Sequence, residues 1–112
     1  PRGSLMKKRP MGPILLAVFL SASANSAAAY ETGNSLLANC NAPSLSEHWY
    51  CLGYVVSASD THALLTCPPT GVAKSDLKRV VVKYLEQNPE DLHKGAAGVV
   101  LNALVEAFPC DQ

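Results

Sequence analysis

Four cysteines, Cys40, Cys51, Cys67 and Cys110, constrain this chain more than any other feature. Cys51 opens an apolar run and Cys67 closes it, just before Pro68-Pro69. Cys40 and Cys110 lie outside that run on either side. How the four pair decides which ends of which elements must meet.

The N-terminal stretch sets their redox state. Residues 1–5 read as an expression-tag remnant, and residues 6–29 as a secretory signal peptide. Lys7, Lys8 and Arg9 give a basic start, Ile14 to Leu20 an apolar core, and Ala27-Ala28-Ala29 a small-residue exit. Cleavage is expected between Ala29 and Tyr30, with Ala24 as the alternative site. The strongly apolar core is shorter than the roughly 20 residues a membrane span requires. Four cysteines behind such a leader point to two disulfides. Zinc is disfavoured, because there is no Cys-x-x-Cys pair and His48, His62 and His93 are not at finger spacing.

Residues 30–112 then form one domain, small enough that its core benefits from covalent staples. From Tyr30 onward five basic residues face nine acidic ones, a net charge of −4. That balance provides no positive footprint for nucleic acid or anionic lipid, and a basic partner surface is the better electrostatic match. No stable membrane insertion is expected once the leader is removed.

Helical signals follow in order. A short first helix over 31–40 is capped by Thr32 or Asn34 and stopped at Asn41-Ala42-Pro43. Ser44-Leu45-Ser46-Glu47 has the form of a capping box and starts a second helix reaching about Leu64. Its expected buried stripe is Leu45, Trp49, Leu52, Val56 and Ser59 or Ala63, with Trp49 in the core. Tyr50 and Tyr54, four apart, are open to a surface role. Pro68-Pro69-Thr70-Gly71 breaks the chain. A third helix, capped by Ser75 or begun slightly earlier, buries Leu77, Val80, Val81, Tyr84 and Leu85. Asn88-Pro89-Glu90-Asp91 carries the marks of a helix start, so a fourth helix is expected from there to about Ala107. Its expected stripe is Leu92, Ala96, Val99, Val100, Ala103, Leu104 and Ala107. The small residues Gly95 to Gly98 suggest tight packing on a neighbour, as does the pair Gly53 and Ser57.

Geometry selects the disulfides. With a helix between them, Cys51 and Cys67 stand roughly 20 Å apart, whereas a disulfide needs Cα atoms within about 7 Å. Short connections make consecutive helices antiparallel. Cys40 then lies beside Cys51 at one end, and Cys67 beside Cys110 at the other. The expected fold class is all-α, a small four-helix up-down bundle stapled by Cys40–Cys51 and Cys67–Cys110.

Catalytic signatures are missing. The sequence has no phosphate loop, no His-Glu-x-x-His helix and no nucleophile elbow. Asp60 and His62, with Ser57 and Ser59 nearby, point to different sides of a helix and make a poor triad. Glu90 and Asp91 fit a helix start better than a catalytic pair. No catalytic, cofactor-binding or metal-binding residues are expected, and the chain does not read as an enzyme.

The run Cys51-x-Gly53-Tyr54-Val55, then Asp60, Cys67-Pro68, Leu77-x-x-Val80-Val81-x-x-Tyr84-Leu85, Pro89-Glu90-x-Leu92-His93 and Ala103-Leu104 to Cys110 resembles the Rap/Tai immunity family. The resemblance covers roughly Leu36 to Cys110. One departure is Ala73, where a Thr capping the third helix would be expected. The resemblance implies a periplasmic helical protein, with a homodimer as its expected assembly, that occludes a peptidoglycan amidase effector delivered by type VI secretion. The expected contact surface is the loop with Pro69, Thr70, Gly71, Val72 and Lys74, or the turn with Gln87, Asn88 and Glu90. The alternatives are a periplasmic acid-stress chaperone of the HdeA kind and an envelope interaction module with no toxin partner.

Overall fold

The computed structural model describes residues 29–110. The expected tag remnant and leader lie outside the described residues, apart from Ala29. Four α-helices make up the bundle: α1 (Gly33–Asn41), α2 (Leu45–Thr61), α3 (Lys74–Gln87) and α4 (Ala96–Ala107). A 3-10 turn, Pro89–Asp91, separates α3 from α4. Consecutive helices pack on one another, and α1 and α2 both also reach α3 and α4.

Local chemistry explains most of the boundaries. Thr32 caps α1: its hydroxyl accepts from the Ser35 N–H at 3.2 Å, and the Ser35 hydroxyl accepts from the Thr32 N–H at 2.9 Å. Ser44 caps α2, accepting from the Glu47 N–H and donating its own hydroxyl to the Glu47 carboxylate at 2.7 Å. Glu47 therefore returns the bond to the serine side chain. The N-cap of α3 is Ala73, which has no side-chain acceptor; Ser75 lies inside the first turn. Asp76 supplies half of the missing cap by accepting from the Ala73 N–H at 3.1 Å.

Two expected ends shift. The second helix stops at Thr61 rather than near Leu64. The N–H groups of Leu65 and Thr66 both fold back onto the His62 carbonyl, which turns the chain toward the end of α4. There Thr66 bridges Pro109, and the Cys67 N–H donates to the Phe108 carbonyl at 2.8 Å. The fourth helix does not run from Pro89. The Pro89 signal produces only the 3-10 turn, and α4 begins at Ala96. The intervening backbone is used elsewhere: the Gly33 N–H donates to the Lys94 carbonyl at 3.0 Å and the Asn34 N–H to the Leu92 carbonyl at 2.9 Å. A continuous helix would have consumed those carbonyls internally. Spent this way, they satisfy two of the four orphan donors at the start of α1.

The core holds Leu36 from α1, Val55 from α2, Leu77, Val81 and Leu85 from α3, and Ala96, Val99, Val100, Ala103 and Leu104 from α4. Val80 and Tyr84 are half-buried, so the expected α3 stripe holds throughout. On α4 the expectation fails at Ala107, which is exposed, and Leu92 lies outside the helix and half-buried. Burying a leucine such as Leu36, Leu85 or Leu104 contributes about 1.5–3 kcal/mol each. Both disulfides form as expected. Cys40–Cys51 joins the end of α1 to α2 with Cα atoms 5.0 Å apart, and Cys67–Cys110 joins the ends beyond α2 and α4 at 4.8 Å. By chain entropy the two loops, spanning 11 and 43 residues, contribute about 3 and 4 kcal/mol.

Candidate functional site

The first disulfide fixes how α2 is rotated. Cys51 must face Cys40, so the inward side of α2 is Cys51, Val55 and Ser59, at successive turns. Trp49 lies about 200° round the helix from Cys51 and points outward, 57 % exposed. Leu45 is likewise outside, at 67 %, and Leu52 and Val56 are half-buried. The expected stripe is therefore corrected at Leu45 and Trp49, which lie outside; Val56 packs half-buried against the core and Ser59 is buried, but the bonded Cys51, which that stripe left out, centres the inward face. Read through Cys51, the same sequence gives the observed face.

The outward side of α2 is a ridge, Trp49–Gly53–Ser57–Thr61, with an open groove along each flank. One groove, about 530 Å³, is walled by Tyr50, Tyr54, His62 and Ala97 of α4. The other, about 430 Å³, is lined by Leu52, Val56, Asp60 and Lys74. A Cβ placed on Gly53 would meet nothing within 4 Å, and the same is true of Gly98. The expected tight packing is thus absent at Gly53, Ala97 and Gly98, which are all exposed; Ala96 is the member of that stretch that enters the core.

Charge and polar contacts border this face. The Tyr50 and Tyr54 rings lie 6.3 Å apart. A hydrogen bond to the Glu31 carboxylate, then burial and the Glu31 charge, push the Tyr50 hydroxyl above its usual range. Burial, with the Glu31 charge second, does the same to Tyr54. Glu31 also accepts from the Ser35 hydroxyl, which ties the start of α1 to the aromatic wall. Beside Trp49, His48 meets the indole edge-on, and its Nδ1 lies 2.8 Å from the Lys78 ammonium.

The two expected contact loops are not brought together. Pro69, Thr70, Gly71 and Lys74 are exposed and Val72 is half-buried, packed against the core. The Val72 N–H donates to the Pro69 carbonyl at 3.2 Å, and Gly71 takes a φ of 96°, which glycine supplies without strain. Gln87 and Glu90 are exposed and Asn88 is half-buried, its side chain donating to the Tyr84 carbonyl at 2.8 Å. The two loops sit at opposite ends of α3, about 20 Å apart along its axis. Lys74 alone among these residues borders a groove of the α2 face. The far turn is acidic. Burial first, then the charges of Asp91, Glu106 and Glu90, raise the Tyr84 hydroxyl, and a hydrogen bond to Asp91 holds the Lys94 ammonium above its usual range.

Of the residues weighed as a triad, Ser59 is buried while Ser57 and Asp60 face solvent. No group of three or more His, Cys, Asp or Glu able to hold a metal occurs among the described residues, and all four cysteines are bonded. No described helix is long and apolar enough to cross a membrane.

The family model for Rap1a immunity proteins matches residues 32–110. The chain belongs to the Rap1a immunity protein family. No curated protein sequence matches it. The Rap1a match begins at Thr32, the cap of α1, and ends at Cys110, the last bonded cysteine. The Rap1a unit is therefore the whole stapled bundle, with both loops and the outward face of α2 inside it.

Proposed function

We propose that this protein is a periplasmic immunity protein that binds and occludes a peptidoglycan amidase effector delivered by type VI secretion, acting as a stoichiometric inhibitor rather than as an enzyme. The observation that carries this reading is the Rap1a family match over the entire bundle. Disulfide staples suit an oxidising compartment, and the leader read in residues 6–29 supplies the route to it.

Inhibition by occlusion requires a rigid protrusion that enters a cleft without refolding. The connection carrying Pro69, Thr70, Gly71, Val72 and Lys74 fits that need, held between the Cys67 disulfide and the first turn of α3. It also adjoins the outward face of α2 through Lys74, so loop and helix offer one continuous contact surface. The turn with Gln87, Asn88 and Glu90 is the second candidate, and its acidic surroundings suit a basic rim. About 20 Å along α3 separates the two, so each can be tested by itself.

The test is capture from periplasmic extract with tagged protein, followed by an amidase assay with and without the captured partner. Expected are a cell-wall amidase in the eluate, its inhibition at equimolar ratio, and protection of cells on co-expression. Charge reversal then locates the cleft: Lys74→Glu weakens inhibition if the first loop enters, and Glu90→Lys if the second does. Absence of any cell-wall hydrolase partner, with no protection, would overturn the proposal. Suppression of client aggregation at low pH without a specific partner would favour the chaperone instead.

A further inference from the structure

We infer that the two disulfides are unequal, with Cys67–Cys110 acting as a reducible clasp on the Cys67–Ala73 connection and Cys40–Cys51 as a permanent staple. The difference lies in access. Thiol–disulfide exchange requires a thiolate to reach a sulfur from outside. Cys40 is 6 % exposed and Cys51 is wholly buried, within the same core cluster as Leu36 and Val55. Cys67 and Cys110 are both exposed. The first bond is almost wholly shielded, only Cys40 bordering a surface groove, whereas the second pair lies at the surface.

The surroundings of the clasp also favour local opening. Leu64 and Leu65, just before it, are exposed and contribute little burial. Among the described residues the buried Thr66 hydroxyl has no hydrogen-bond partner, a cost that opening relieves by letting in water. The Cys67 N–H bond to the Phe108 carbonyl and the Thr66–Pro109 bridge remain after reduction. These hold the two thiols near each other, so the bond can re-form in place. Segments with few buried apolar contacts are the ones that open without global unfolding.

The chemistry balances with a dithiol reductant, either a small molecule or a Cys-x-x-Cys oxidoreductase. Its first thiolate attacks one clasp sulfur, breaking the S–S bond, forming a mixed disulfide and releasing one cysteine, which takes up a proton. The second thiolate of the reductant resolves the mixed disulfide and releases the other cysteine. Two electrons pass to the clasp, and the reductant leaves as its own disulfide.

Stepwise treatment of the native oxidised protein with dithiothreitol, rapid alkylation and peptide mapping tests it. Cys67 and Cys110 are expected to label at least tenfold faster than Cys40 and Cys51, with the helical circular dichroism retained. All four labelling together, or Cys40 and Cys51 first, would overturn the inference. As an independent measurement, hydrogen exchange on the C67S/C110S double variant should show amides from Thr66 to Val72 exchanging at least tenfold faster. Core amides of Leu36, Val81 and Val100 should lose only the protection that the missing loop constraint accounts for and remain the slowest to exchange; amides from Thr66 to Val72 exchanging no faster relative to that core than before would overturn the inference.

Discussion

A Cβ placed on Gly33 would come within 2.9 Å of the Leu92 Cα. Gly33 opens α1, where helix propensity alone says that alanine should be better by up to about 1 kcal/mol. The contact reverses that sign, because the obstructing atoms are Leu92 backbone and cannot swing away. Gly33→Ala is expected to destabilise the protein by about 1–3 kcal/mol, as overpacking does. Gly53→Ala, in open space, is expected to stabilise it by about 0.5–1 kcal/mol. Urea denaturation of the two variants, run side by side, checks the opposite signs.

Trp49 is the chain's single tryptophan, and it stands outside the core. Trp49→Ala is therefore expected to change stability by less than about 1 kcal/mol, against the roughly 3–5 kcal/mol of a buried tryptophan. Intrinsic fluorescence offers a direct reading in the unmodified protein. Emission should lie near that of a solvated indole and shift little on unfolding. A large red shift on adding denaturant would place the ring in the core after all.

Ala73 occupies the N-cap of α3 with extended backbone, φ −78° and ψ 154°, the geometry a capping serine or threonine adopts. Ala73→Ser supplies the missing acceptor without changing the backbone. The expected gain is about 1 kcal/mol, seen as a raised thermal midpoint. An unchanged or lowered midpoint would show that the Asp76 bond to the Ala73 N–H already suffices.

Asp76 is held below the usual carboxylate range, first by its hydrogen bond from Arg79, 2.6 Å away, and then by the Ala73 N–H. Its folded pKa lies below its unfolded one, so its contribution is present above about pH 4 and fades as pH falls through the folded value. The stability difference between the wild type and Asp76→Asn should accordingly shrink in acid and narrow at high salt, since both partners are solvent-exposed. A gap that widens below pH 4 would contradict this sign.

Much of the bundle was legible because its signals are local or geometric. Thr32 and the Ser44/Glu47 pair announce their caps, and Leu77, Val81 and Leu85 carry a clean helical period. The pairing of the cysteines followed from helix length. The two larger misreadings share one cause, competition from residues outside the element concerned. The rotation of α2 is set by Cys40, eleven residues away, and overrides the apolar count that drew Trp49 inward. The start of α4 is displaced because the carbonyls of Leu92 and Lys94 serve α1. The outward face of α2 was hidden for the same reason: as a sequence, Leu45, Trp49, Leu52 and Val56 look like core. Of the two loops, composition showed that both were turns, but only the length of α3 shows how far apart they lie.

The backbone link between α1 and the Leu92–Lys94 segment bears on the order of folding. Synthesis runs from the N-terminus, so α1 emerges long before residues 92–95. Until they arrive, two N–H groups of its first turn have only water for partners, and a nine-residue helix is too short to persist alone. The first helix of this protein is thus completed by nearly the last part of the chain to appear, and the fold closes as a ring rather than growing from one end.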